Sequence, residues 1–232
     1  DTIEVQDGTY HEGLAIGTSS LTLESAGDYR PVIHQDSDYW TAINVSANDV
    51  TIDGFEVKNT NNDGSERVRG IHGNKYSDGL TINDTVVDGV DGNVSSDRPT
   101  GYGMTLRGNS TTVQHSEVKN VTGDNFAAGI RLGGDETLEV GNGTIHDVNV
   151  SLINTTVGND ALGIFLASIS SAEQTEVTQS NVTGLLAKSG AGINLISLND
   201  DATAPDLQIS GNEISASTSD GAAGINIEDS AL

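Results

Sequence analysis

A chain of 232 residues is long enough for one large domain or two small ones, and no Pro/Ser-rich linker or change of composition divides it. Its 34 acidic residues against 10 basic ones give a formal net charge of −24, which opposes binding to nucleic-acid phosphates and to anionic membrane surfaces. Cysteine is absent, so disulfide scaffolds, thiol nucleophiles and Cys-ligated zinc are excluded together.

Taken in order, the chain opens with DTIEVQDGTYHEGLAI from Asp1, then LTLES from Leu21 and PVI from Pro31, three apolar runs separated by Gly, Asp and Ser. From there two phrases alternate. The first is a pair of β-branched residues five apart: Ile52/Val57, Ile82/Val87, Val113/Val118, Val140/Ile145, Val177/Val182 and Ile209/Ile214. Mostly small or polar residues fill the gap, as in DGFE, NDTV and QHSE. The second phrase is Gly followed by an apolar residue, at Gly70-Ile71, Gly103-Met104, Gly129-Ile130, Gly163-Ile164, Gly192-Ile193 and Gly224-Ile225, with spacings of 33, 26, 34, 29 and 32. Each unit reads as strand, two-residue bend, strand, variable loop and Gly-Ile strand, with Val, Ile and Thr in the strands and Gly, Asn and Asp at the bends.

Three short strands per unit, stacked in register, predict an all-β chain: a right-handed parallel β-helix of about seven to eight coils, because no single coil can bury its apolar face alone. An antiparallel sandwich also uses short, evenly spaced strands, yet it does not require one phrase order to recur six times. The expected organisation is a single domain over 1–232, with first coils in 1–40 and repeating coils in 41–232. The Gly column is expected where positive φ or a close approach between coils excludes a Cβ.

The opening run with LTLES and PVI resembles the first coil of the pectin-lyase-like β-helix superfamily, including its carbohydrate-binding and sugar-hydrolase type. The resemblance covers essentially the whole chain and rests on structural motifs, so it implies the fold and leaves the activity open. The phrases of its polysaccharide lyases, Trp-Ile-Asp-His and Arg-x-Pro-x-x-Arg, are missing; RPT at Arg98 lacks the second Arg. Fragments of the polygalacturonase pattern occur in the wrong order, as NTNNDG at Asn59, IHG at Ile71 and NDD at Asn199. These departures favour a non-catalytic surface or adhesion module, with a polysaccharide lyase, a glycoside hydrolase or a viral tail-spike depolymerase as the alternative.

In the Gly-Ile strands the residue after Ile points outward. That column reads His72, Thr105, Arg131, Phe165, Asn194 and Asn226, with Arg107 two positions beyond Thr105, and Arg69 and Tyr102 alongside. Five of the ten Lys and Arg residues fall between Arg67 and Arg107. His72, Tyr102, Arg107 and Arg131 are therefore the candidate carbohydrate-binding residues, since guanidinium forks carboxylates and Tyr offers an apolar platform with a polar edge. The competing reading is that each Arg forms an exposed ion pair of little energetic weight. Asp135 and Glu136, just past Arg131, are the candidate catalytic acids. No cofactor is expected, apart from a candidate Ca²⁺ loop at Asn59, Asn61 and Asp63, whose twelfth position is Gly70 rather than Glu. The five histidines lack metal-ligand spacing and read as surface or turn residues.

Composition also bears on setting. An Asp-rich, Lys-poor surface repels itself in dilute buffer and is screened by salt, which fits a salt-loving organism, a halophilic archaeon or its virus, or a merely acidic secreted protein. Nine Asn-x-Ser/Thr sequons, at Asn44, Asn83, Asn93, Asn109, Asn120, Asn142, Asn149, Asn154 and Asn181, mark candidate glycosylation on an extracellular or cell-surface protein, although β-helix bends favour the same residues. No apolar run reaches membrane-spanning length, so no direct insertion is expected. The final AGINI strand lacks a covering helix, and the expected partner there is further chain or another subunit.

Overall fold

The computed structural model describes residues 1–36, 40–60, 67–92, 100–133, 143–156, 160–167, 175–196, 207–215 and 221–228. Within them the chain is all-β, and its strands form three sheets of eight in which every pairing is parallel to its neighbour. The chain visits the sheets in turn: Thr2–Val5, Thr9–Tyr10 and Leu14–Ile16 make the first coil, and Thr22–Ser25, Val32–Gln35 and Thr41–Val45 the second. This is a right-handed parallel β-helix, the hand that parallel crossovers take. LTLES and PVI thus belong to the second coil rather than the first.

Register explains the repeat. Ile52, Ile82, Val113, Ile145, Val177 and Ile209 pair in one inward column of the first sheet. Val57, Val87, Val118, Val150, Val182 and Ile214 do so in the second. Ile43, Ile71, Met104, Ile130, Ile164 and Ile193 continue the third. Most of these side chains are fully buried, and each contributes roughly 1.5–3 kcal/mol of transfer free energy. One pair is corrected. The fourth of the six pairs is Ile145 and Val150, whereas Val140, which has the same offset from Ile145, lies outside the described residues.

The bends between first and second sheets are left-handed at one repeating position: Gly54, Asp84, His115, Asp147, Gln179 and Gly211 have φ between 43° and 78°. At two of these bends the next residue is an inward serine whose hydroxyl serves the preceding coil. Ser116 accepts from the Thr85 backbone N–H at 3.2 Å while donating to Gln114 O at 2.7 Å. Ser180 accepts from Val148 N–H at 3.4 Å. Buried Asn59 links sheets in another way, donating its amide N–H to Trp40 O at 3.2 Å and Arg69 O at 2.7 Å. Its side chain lies inside the coil, and its proposed Ca²⁺ companions Asn61 and Asp63 are outside the described residues.

The Gly column needs close approach and not positive φ. A Cβ on Gly129 would sit 2.3 Å from Val150 Cγ1 and 2.7 Å from Gly163 O. On Gly163 it would sit 2.2 Å from Val182 Cγ1. Gly224 is the exception, with no atom within 4 Å among the described residues. Ile225 and Ile227, on the last described strand, are 48% and 63% exposed.

Candidate functional site

The same glycines set which side chains face out of the third sheet. Along Phe126–Gly133, Ala127, Ile130 and Leu132 enter the main core, while Ala128 belongs to a second cluster on the outer face. Gly129 takes an additional inward step, so Ala128 and Arg131, three residues apart, both project outward. Pairing passes from Tyr102–Ala128 directly to Met104–Ile130, so both strands carry the same extra residue and the register is kept.

Two outward columns result. One runs Asn44, His72, Thr105, Arg131, Phe165, Asn194 and Asn226, from His72 onward the order expected from sequence. The other runs Thr41, Arg69, Tyr102, Ala128, Leu162, Ala191 and Ala223. Early coils therefore present Arg69, His72, Arg107 and Arg131, and later coils an apolar strip edged by amides.

Electrostatics on the outer face of the third sheet differs from that of the cations elsewhere on the same coils. Arg30, Lys58 and Lys119 are paired with Asp84, Glu56 and Glu117 at 2.5, 2.7 and 2.9 Å, as the competing reading expects. Arg69 is not: it makes no ion pair among the described residues, and its Nε is buried with no hydrogen-bond partner. Burial, then Arg67, Arg107 and Arg131, lower its pKa to about 10, against a raising influence from Tyr102. Burial first and Arg69 next hold His72 down to about 4, although its contact with Thr105 O, 3.2 Å from Nδ1, acts the other way. His72 is therefore neutral at pH 7. Its Nδ1–H donates to the Thr105 carbonyl, which leaves the Nε2 lone pair as an acceptor.

The later coils form a groove of about 500 Å³ lined by Phe126, Asp160, Leu162, Phe165, Ala191, Asn194 and Asn226. Tyr102, Phe126 and Phe165 form a row along it, with ring centroids 5.6 and 6.0 Å apart. Asn226 donates to Asn194 Oδ1 at 3.0 Å, and Ser189 donates to Asp160. The Arg131 guanidinium lies 5.4 Å from the Phe165 ring centroid, so the cationic patch and the groove meet there.

Of the four residues singled out from sequence, His72, Arg107 and Arg131 gather on this face. Tyr102 retains only 8% of its surface, so little of its ring is open, and the half-buried Phe126 and Phe165 are the accessible aromatics. Phe165, which pairs with Arg131, and Arg69, which pairs with Tyr102, stood in or beside the outward column read from sequence, whereas Phe126, which pairs with Thr100 and Asp160, carried no such signal. Asp135 and Glu136 lie outside the described residues, as do Asn93 and Asn142. Among the other sequons Asn109, Asn120 and Asn149 are exposed, whereas Asn83 donates to Asp53 and accepts from Gln114.

No family model matches the chain, and no curated protein matches it. Among solved structures it is similar to an alginate lyase from Paenibacillus sp. str. FPU-7, with 13% identity and a TM-score of 0.49 over 97% of this chain and 92% of that one. A pectin methylesterase from Yersinia enterocolitica has 10% identity and a TM-score of 0.36, covering 96% of this chain and 88% of that one. The Dettilon tailspike protein has 12% identity and a TM-score of 0.41, covering 97% and 54%.

Proposed function

We propose that this chain is an extracellular, cell-surface or virion-surface β-helix module that binds a glycan along the outer face of its third sheet. The observation that carries the reading is Arg69, a half-buried residue whose Nε is buried without a hydrogen-bond partner and which makes no ion pair among the described residues, in a chain of net charge −24. Beside it stand Arg107, Arg131 and a neutral His72. A half-buried cation beside Arg67, Arg107 and Arg131 is costly, and a sugar carboxylate would offset that cost through bidentate hydrogen bonds. The adjoining groove supplies what the rest of an oligosaccharide needs: Phe126 and Phe165 for the apolar faces of sugar rings, and the Asn194 and Asn226 amides for hydroxyls. Asp160, in register with Phe126, opposes a second anionic sugar within the groove. The ligand is therefore a polysaccharide with spaced rather than continuous acidic residues.

His72 also favours a second reading, depolymerisation by β-elimination. A neutral imidazole beside guanidiniums can take the proton next to a carboxylate whose charge they offset, although a pKa of about 4 makes it a weak base until an anion binds.

A glycan array read beside an unsaturated-product and reducing-end assay, in molar KCl, separates the readings. The proposal expects binding without turnover, lost in Arg107→Ala/Arg131→Ala. Product formation that the double variant abolishes would instead make the face catalytic, and an array pattern unchanged by the variant would overturn both.

A further inference from the structure

We infer that His11, His34 and Asp36 form a binding site for a borderline divalent cation of the Zn²⁺, Ni²⁺ or Cu²⁺ kind, clipping the first coil to the second. Coil stacking creates the set. Tyr10 pairs with Ile33 and both turn inward, so the following residues, His11 and His34, project side by side from the second sheet with ring centroids 5.2 Å apart. Gln35 is fully buried, so Asp36, two residues past His34, returns to the outer side. One potential ligand atom from each of the three residues lies within 4.8 Å of the others.

The contacts already made suit a metal. His11 Nδ1 and Asp36 Oδ2 are 2.7 Å apart and share a proton that a cation would replace. His34 Nε2 is 3.0 Å from Thr60 Oγ1; donating there, it leaves Nδ1 as the ligating nitrogen and fixes the ring, as outer hydrogen bonds do for metal-bound imidazoles. Lys58 stacks on His34 in register, but its ammonium is held by Glu56 at 2.7 Å. Two imidazoles and one carboxylate select the borderline metals over Ca²⁺ or Mg²⁺, which prefer all-oxygen sites, and leave positions for water. The other stacked pair, His115 and His146 with centroids 6.2 Å apart, has no such carboxylate among the described residues. Sequence spacing missed the site because 23 and 25 residues separate its ligands, and only the coil repeat brings them together.

The test is Cu²⁺ titration of the full chain, followed by equilibrium dialysis and electron paramagnetic resonance. The expected result is one tight equivalent with hyperfine coupling to two nitrogens, displaced by Zn²⁺. His34→Gln should show coupling to one nitrogen and at least tenfold weaker binding, while His115→Gln/His146→Gln should match the wild type. The inference is overturned if the two-nitrogen signal is absent, or if it survives in His11→Gln/His34→Gln with an unchanged circular dichroism spectrum.

Discussion

Single side chains carry consequences that their neighbours do not share. Gly129→Ala forces a Cβ to 2.3 Å from Val150, so it should cost about 1–3 kcal/mol or more and lower the urea midpoint, whereas Gly224→Ala, in the same column with no neighbour within 4 Å among the described residues, should leave it nearly unchanged. Leu152 holds φ at 54° with its side chain 48% exposed, at a kink where Gly89, Asn120 and Gly184 are also left-handed. Leu152→Asn should relieve strain and raise the midpoint by up to about 1 kcal/mol in stability. His72 predicts a pH dependence. An unfolded imidazole takes its proton near 6.5, and folded His72 takes it at about 4. Between those values the unfolded state binds the extra proton, so the stability owed to this group is complete above 6.5 and is lost as pH falls toward 4, by at most about 1.4 kcal/mol per unit. Urea midpoints compared at pH 7 and pH 5 should fall further for wild type than for His72→Gln; parallel changes would contradict the assignment.

At the level of strands and bends, stability rests on columns repeated from coil to coil. Ser116→Ala removes the acceptor for the Thr85 N–H and should cost about 1–3 kcal/mol, since that donor stays buried. Much of this level was legible in the sequence. Strand, bend, strand and Gly-Ile strand follow from Val/Ile pairs five apart and from the recurring glycine, because each column needs the same shape on every coil. Two details were not. Val140 mimics the first member of a pair that belongs to Ile145 and Val150, since an offset of five fits either side of Ile145. LTLES and PVI open a second coil, which only the pairing of Ile3 with Leu23 reveals.

For the molecule as a whole, charge and face work together. A net charge of −24 predicts a denaturation midpoint that rises steadily from 0.1 to 2 M KCl; a flat response would remove the salt-adapted reading of its composition. The outer column from His72 to Asn226 could be written down from sequence because outward positions alternate predictably past each Gly-Ile pair. What could not was the company each residue keeps: the half-buried setting of Arg69, with no ion pair among the described residues, the withdrawal of Tyr102 and the row of rings it joins depend on the packing of several coils at once. The most direct test of the glycan-binding face is calorimetric titration with an acidic oligosaccharide taken from the array, comparing wild type, Phe165→Ala and Lys119→Ala, the last being a substitution on the second sheet. Binding weakened at least fivefold by Phe165→Ala and untouched by Lys119→Ala is the predicted result; equal affinity in all three would contradict the assignment of the face.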